Sequence, residues 1–243
     1  MIQQHNGTVS VVSLGNRSII FAWIFPLILF TGNLNKLAPA ASDDFQIWSP
    51  VYLTYSFTDN IQGWYEVQPR FGEDASQVNQ LLLRTALGYR VTKHWSLWQG
   101  YAWTPSFEPG FVSENRIYQQ MVYAKGFQAV DVMSRTRLEQ RWIQRVPGTA
   151  VRFRTLLRGR FPLDDARLWG LVTQNEIFFN LNSPTNGPGG GFDQNRFFVG
   201  LNKKINEHLS VDGGYQLQAI NTDESSLFNT LNHILLLQFF FNR

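Results

Sequence analysis

The chain has 243 residues, of which 44% are hydrophobic, 16% charged and 15% aromatic, and it contains no cysteine. The low charged fraction excludes a highly charged disordered chain. The absence of cysteine excludes thiol catalysis, disulfides and thiolate metal sites. Two of the 21 basic residues, Arg17 and Lys36, lie in a segment that we expect to be removed, so the mature chain is nearly neutral against its 18 acidic residues. A nearly neutral chain is not expected to bind nucleic acid.

An apolar segment near the N-terminus, residues 19–30, reads IIFAWIFPLILF and follows Arg17. It is too short to cross the hydrocarbon core of a bilayer, which is about 30 Å thick. The small residues Ala38 and Ala40 follow it and place a predicted cleavage site after Ala40. We therefore predict a signal peptide at residues 1–40 and one mature domain at 41–243, with an uncleaved anchor or a buried helix as the alternative.

The mature chain is dominated by alternation with period two. In residues 44–57 the odd positions are mostly apolar and the even positions mostly polar, and similar segments recur along the chain. The candidate strands are 44–57, 61–71, 78–91, 95–103, 115–127, 132–146, 150–161, 168–181, 195–205, 209–220 and 227–241. Most are longer than the five or six residues usual in soluble sandwiches, and such lengths are typical of strands that cross a membrane at a tilt.

The connections between these segments alternate between tight turns and longer loops rich in Gly, Pro or acid, with the short turn at Pro147-Gly148 as an exception. This pattern predicts an all-β fold, an antiparallel transmembrane β-barrel of about 10–12 strands in the bacterial outer membrane. Eleven segments are an odd number, whereas single-chain bacterial barrels use an even one. We therefore expect a missed or split strand, or an N-terminal segment inside the lumen.

The last segment ends LLLQFFFNR and carries Leu235, Leu237, Phe239 and Phe241 on one face. Such an aromatic-rich final strand predicts recognition by barrel-assembly machinery. The other expected partners are outer-membrane lipid and lipopolysaccharide.

Several short motifs carry a family resemblance: DFQIW at 44–48, QPRF at 68–71, Gly100-Tyr101, NRIYQ at 115–119 and RLEQR at 137–141. Together they resemble the bacterial family called domain of unknown function 2490. The resemblance spans most of the mature chain. It implies an outer-membrane barrel and no established activity.

Arginines concentrate on one face of the sixth and seventh candidate strands. If apolar residues face lipid, these arginines face the lumen, because an arginine facing lipid near the midplane costs about 2–4 kcal/mol. The predicted lumen-binding residues are Arg135, Arg137, Glu139, Arg141, Arg145, Arg152, Arg154, Arg158, Arg160 and Glu176. The same alternation also turns Glu66, Arg70, Arg84, Arg90, Arg196 and Asp212 inward. We expect these acids to be too few to neutralise the arginines.

The arginine-lined lumen supports two interpretations. A basic passage would favour small anionic solutes, because guanidinium groups bind carboxylate, sulfate and phosphate through paired donors. Alternatively, salt-bridged side chains fill the barrel as a closed structure without transport, as in other small barrels.

A barrel enzyme acting on lipid is a third and weaker hypothesis. His94 and His208 lie at predicted turns and His233 lies on the lipid side of the last strand, and none has an evident serine and acid at triad spacing. We therefore predict no enzyme, no catalytic residue, no cofactor and no metal site.

Overall fold

The computed structural model describes residues 42–221 and 230–243. The predicted signal peptide, residues 1–40, and residues 227–229 of the last candidate strand lie outside this part of the chain. Within it, no helix is long and apolar enough to cross a membrane. The strands are β1 (Ser42–Trp48), β2 (Val51–Ser56), β3 (Ile61–Gly72), β4 (Gln77–Arg90), β5 (Trp95–Ser106), β6 (Val112–Gly126), β7 (Asp131–Ile143), β8 (Ala150–Pro162), β9 (Trp169–Asn180), β10 (Gly191–Lys204), β11 (Leu209–Ile220) and β12 (Thr230–Asn242).

The strands form one closed barrel in which each strand from β2 to β12 pairs antiparallel with the next. The barrel closes because β12 pairs in parallel with both β1 and β2. β1 and β2 are two parts of one strand, interrupted at Ser49 and Pro50. The Ser49 N–H still donates to the carbonyl of Pro69, and the Phe239 N–H donates to the carbonyl of Pro50, so both neighbours bond across the interruption.

Counting β1 and β2 as one strand gives eleven strands, and the predicted barrel class is confirmed. The expectation of an even number is wrong for this chain. Adjacent antiparallel strands reverse direction at each step, so an odd number can close only through one parallel pair. The N-terminal segment supplies that pair and does not run through the lumen.

The two rims of the barrel differ in their connections. One rim carries the turns at 57–60, 91–94, 127–130, 163–168 and 205–208, and we call it the short-turn rim. The opposite rim, here the long-loop rim, includes the ten-residue connection at 181–190. The short turn predicted at Pro147-Gly148 is in fact a longer connection, residues 144–149, because β7 ends at Ile143. It is therefore no exception at the long-loop rim.

The outer face of the barrel is apolar between two aromatic belts. Leu87, Leu97 and Leu201 are each about half exposed on this face. The belt at the short-turn rim contains Tyr55, Phe57, Tyr89, Trp95, Tyr123, Trp169 and Phe241, and the belt at the long-loop rim contains Phe45, Trp103, Trp142, Phe179 and Phe192. Such belts are typical of the two interfaces of a membrane.

Candidate functional site: the charged interior of the barrel

The arginines of β7 and β8 point into the barrel, because strand alternation puts their apolar neighbours outside. The inward members are Arg135, Arg137 and Arg141 from β7 and Arg152, Arg154, Arg158 and Arg160 from β8. Arg145 does not belong to this wall. It lies in the turn after β7 with a φ of 70°, and its side chain is exposed, because the strand ends before the alternation reaches it.

Glu139 is the centre of the charged interior. Its carboxylate lies 2.7 Å from Arg152, 3.1 Å from Arg154 and 3.4 Å from Arg137, and its exposure to solvent is 0%. Arg137 and Arg154 face each other directly across the pair of strands. Like charges in that position repel, so the shared carboxylate stabilises their approach.

A second carboxylate joins the same arginines from the neighbouring strand. Glu176 of β9 accepts from Arg135 and Arg154, each at 2.8 Å. Arg154 therefore bridges two glutamates. The three strands β7, β8 and β9 are joined through side chains as well as through their backbone ladders.

The remaining arginines of the wall pair with carboxylates at its margins. Glu114 of β6 binds Arg116 at 2.6 Å and Arg141 at 2.5 Å. The other pairs are Arg158 with Asp212 at 2.6 Å, Arg152 with Asp193 at 3.3 Å, and Arg160 with Asp131 at 3.2 Å. We call the arginines of β7 and β8 and these carboxylates the charged network.

The acids that pair with the arginines of β7 and β8 are more numerous than expected, because Glu114, Asp131 and Asp193 join them, but they remain fewer than the arginines. Each inward arginine of β7 and β8 lies within 4 Å of a carboxylate. Sequence reasoning missed Glu114, Asp131 and Asp193 because they fell in predicted loops. Glu114 and Asp193 would have been identified if the period-two pattern had been extended toward the starts of their strands, since β6 begins at Val112 and β10 at Gly191.

The opposite side of the interior contains one isolated ion pair and several rings. Arg84 donates to Glu66 at 2.6 Å, and both side chains are buried. Two inward rings pack over glycines on neighbouring strands, with Trp98 opposite Gly88 and Tyr118 opposite Gly100. A β-carbon at either glycine would collide with the ring, so these glycines let the rings lie flat on the sheet.

An apolar cluster that the sequence analysis did not predict fills another part of the interior. It consists of Trp48, Val172, Phe198, Ile234 and Leu236, each at most 3% exposed. The sequence did not predict this cluster because inward positions were expected to be polar. Gly200 and Gly214 pair directly beneath the Phe198 ring, where side chains would clash with it.

None of the described histidines forms an ion pair with the charged network, although His94 lines a pocket at the short-turn rim together with Arg158, Arg160 and Asp131. His94 and His208 contact backbone carbonyls at the short-turn rim. His233 lies on the outer face, where its Nδ1 is 2.6 Å from the hydroxyl of Tyr215.

Residues 45–229 match the family described as protein of unknown function (DUF2490). An uncharacterized protein of Methylorubrum extorquens is 36% identical over 203 residues, which cover 81% of this chain and 87% of that protein. The siderophore receptor PirA from Pseudomonas aeruginosa is similar in structure with a TM-score of 0.31 and 12% identity, over 74% of this chain and 34% of the receptor. This chain thus spans about a third of the receptor's length.

Proposed function

The chain belongs to the DUF2490 family of proteins of unknown function, and we propose that it is a sealed outer-membrane barrel. The family match confirms the resemblance noted in the sequence. In this proposal the interior is closed by ion pairs and rings, and the resting protein conducts no solute. The role is structural and not enzymatic.

One observation carries the proposal: side chains with almost no contact with water surround the interior. With β1 and β2 counted as one, each of the eleven strands contributes at least one inward side chain that is at most 3% exposed. These are Trp48, Glu66, Leu82, Ala102, Tyr118, Glu139, Leu156, Val172, Phe198, Asp212 and Ile234. A water-filled passage would expose inward side chains at its narrowest level, so this arrangement favours a filled lumen over an open one.

The charged network supports the same interpretation. A lumen that selects anions needs positive charge that is available to a passing solute. The arginines of β7 and β8 already donate to carboxylates at 2.5–3.4 Å. Their charge is therefore largely compensated within the protein.

The outer face supports the membrane location. Its exposed leucines and valines lie between the two aromatic belts, and strands of 12–15 residues from β3 to β12 are long enough to cross a bilayer at a tilt. On β12 the outward Leu235, Leu237 and Phe241 present the aromatic-rich final strand that we propose is recognised by barrel-assembly machinery. Outer-membrane lipid and lipopolysaccharide are the proposed surroundings.

Conductance of the refolded mature protein in a planar bilayer tests the proposal. We expect a silent protein that is folded, as shown by heat-modifiable mobility on a gel. The double variant Trp48→Ala, Phe198→Ala removes the two large rings of the apolar cluster and is the matched control. It should admit ions, which shows that the assay detects a barrel of this size.

Steady anion-selective openings of the unmodified protein would overturn the sealed barrel and favour an anion passage. In that case, neutralising Arg137, Arg141, Arg154 and Arg158 tests whether the charged network sets the selectivity. Fractionation of a Gram-negative host tests the location separately. Recovery of the folded protein outside the outer-membrane fraction would contradict it.

A further inference from the structure

Two inward arginines near the long-loop rim differ from their neighbours in their charge environment, and a third unpaired one, Arg90, donates to the Asp59 carbonyl at the opposite rim. Arg84, Arg116 and the arginines of the charged network each have a carboxylate within 4 Å. Arg70 and Arg196 have none among residues 42–221 and 230–243. We propose that these two arginines, with Trp48, form a binding site for a small oxyanion that enters from the long-loop rim.

The two guanidinium groups converge on one indole ring. The guanidinium carbon of Arg70 lies 3.7 Å from the centre of the Trp48 ring, and that of Arg196 lies 5.0 Å from it. Arg196 also lies 4.7 Å from the centre of the Phe178 ring. Stacking on an aromatic face holds a guanidinium in place while leaving its edge free to donate hydrogen bonds.

Both arginines retain unused donors. Arg70 donates from its terminal nitrogens to Gln80 at 2.7 Å and Gln68 at 3.4 Å, but its buried Nε has no partner in the described structure. Arg196 donates from Nε to Gln194 at 3.0 Å, and its two terminal nitrogens donate to no described residue. An oxyanion such as phosphate accepts guanidinium donors of this kind.

The side chains that accept hydrogen bonds from the two arginines are amides, although the carboxylate-bearing Glu176 lies opposite Arg196 in the register of β9 and β10. Gln218 donates to Gln194 at 2.6 Å, and Asn232 donates to Gln218 at 3.2 Å. Amides orient the guanidinium groups without neutralising them. Two like charges beside one ring in a medium of low dielectric repel each other, and a bound anion would relieve that repulsion.

The ring itself is held in a fixed orientation. The indole N–H of Trp48 donates to the side-chain oxygen of Gln46 at 2.8 Å, and Gln46 donates to Asp44 at 2.7 Å. Asp44 is the nearest acid along β1, and its carboxylate binds the backbone N–H of Asp74 without pairing with either arginine. The platform is therefore organised before any ligand binds.

The position of the site points to entry from one side. Arg70 lies two residues before the end of β3 at the long-loop rim, and Arg196 lies five residues after the start of β10 at the same rim. Both side chains are only partly buried. On β10, Phe198 of the apolar cluster lies further from this rim than Arg196 and is fully buried, so an anion can reach the two arginines while the barrel stays sealed.

Binding of inorganic phosphate to the refolded barrel tests the proposal. Phosphate is titrated at constant ionic strength, and the readouts are tryptophan fluorescence and the unfolding temperature. We expect saturable binding by the unmodified protein and binding weaker by about tenfold or more in Arg70→Gln and in Arg196→Gln. Arg90→Gln is the matched control, because Arg90 is also an inward arginine without a carboxylate but donates to the Asp59 carbonyl at the other rim.

A second measurement keeps the proposal testable if the binding signal is small. In a buffer without oxyanions, Arg196→Gln removes one of two repelling charges and should raise the unfolding temperature. In saturating phosphate the order should reverse, with the unmodified protein the more stable. A variant that unfolds at the same or a lower temperature than the unmodified protein in both buffers would overturn the proposal.

Two further outcomes would also overturn it. One is binding that survives Arg70→Gln and Arg196→Gln as well as it survives Arg90→Gln. The other is binding only to phosphate carried by lipid headgroups in vesicles, because a luminal site is reached by free phosphate. Failure of the sealed-barrel proposal would appear in the conductance measurement and is distinguishable from either outcome.

Discussion

The charged network and the apolar cluster fill the same interior with different chemistry. The charged network extends over β6 to β11 and joins distant strands through directional contacts, as Glu139 does with three arginines. The apolar cluster depends on shape, with the Phe198 ring lying over a pair of glycines. Losing one member of the network leaves several charges unpaired, whereas losing one ring leaves a local void. The two regions should therefore respond differently to single substitutions.

The largest effect is expected at the centre of the charged network. Glu139→Gln keeps the shape of the side chain but leaves Arg137 and Arg152 without their shared carboxylate. Removing one partner from buried ion pairs costs about 3–5 kcal/mol. Urea unfolding of the barrel in lipid vesicles measures this loss. The control is Glu207→Gln, which removes an exposed acid and should change the free energy of unfolding by less than about 0.5 kcal/mol; equal effects would contradict a buried network.

A smaller loss is expected in the apolar cluster. Phe198→Ala removes a fully buried ring and should cost about 3 kcal/mol through lost contacts and the cavity that remains. The same unfolding measurement applies. Val199→Ala on the lipid side of the same strand is the control and should cost less. An equal loss at the two positions would show that the Phe198 ring is not packed.

Adding volume to the cluster should cost less again. A β-carbon at Gly200 would lie 2.6 Å from the Phe198 ring and 2.5 Å from the Gly213 carbonyl. Gly200→Ala should therefore destabilise the barrel by about 2 kcal/mol. Gly189→Ala is the matched control in the 181–190 connection, where a β-carbon meets no atom within 4 Å. A neutral Gly200→Ala would mean that the sheet relaxes easily at this point.

The smallest effect is expected at the short-turn rim, outside both regions. The backbone N–H groups of Trp169 and Leu168 donate to the Asp164 carboxylate at 2.6 and 3.0 Å and hold its pKa below its usual range. Because the folded pKa is lowered, this stabilisation is present above the unfolded pKa of about 3.9 and is lost as the pH falls through the folded pKa.

Asp164→Ala should therefore lower the unfolding midpoint slightly at neutral pH. The difference from the unmodified protein should shrink in acid. The measurement compares the unfolding midpoints of the variant and the unmodified protein at neutral pH and in acid. Asp165→Ala, at the neighbouring position, is the control. A difference that is independent of pH would assign the effect to the turn backbone and not to the carboxylate.

The fold could be predicted from the sequence because every strand of a membrane barrel has apolar residues at alternate positions, on its lipid-facing side. Leu97 and Leu235 lie on the outer face that period two assigns them. Closure could not be predicted, since alternation shows which face a residue occupies and not which strand lies beside it. The parallel pairing of β12 with β1 and β2 is visible only in three dimensions.

The charged interior could be predicted in part. Alternation identified the inward arginines of β7 and β8, but it was extended past the strand end to Arg145. The acids were missed where strand ends are irregular. Pairing of β10 with β9 shifts register between Phe192 and Gln194, next to Asp193, and this irregularity breaks the pattern that would have marked that acid.

The parallel pair has a further consequence for how the barrel can be rearranged. β1 starts at the long-loop rim and β12 ends at the short-turn rim, at opposite ends of the same seam. A circular permutant that joins Asn242 to Ser42 would therefore need a linker that runs the full height of the wall. The short tether that suffices when first and last strands are antiparallel would not reach.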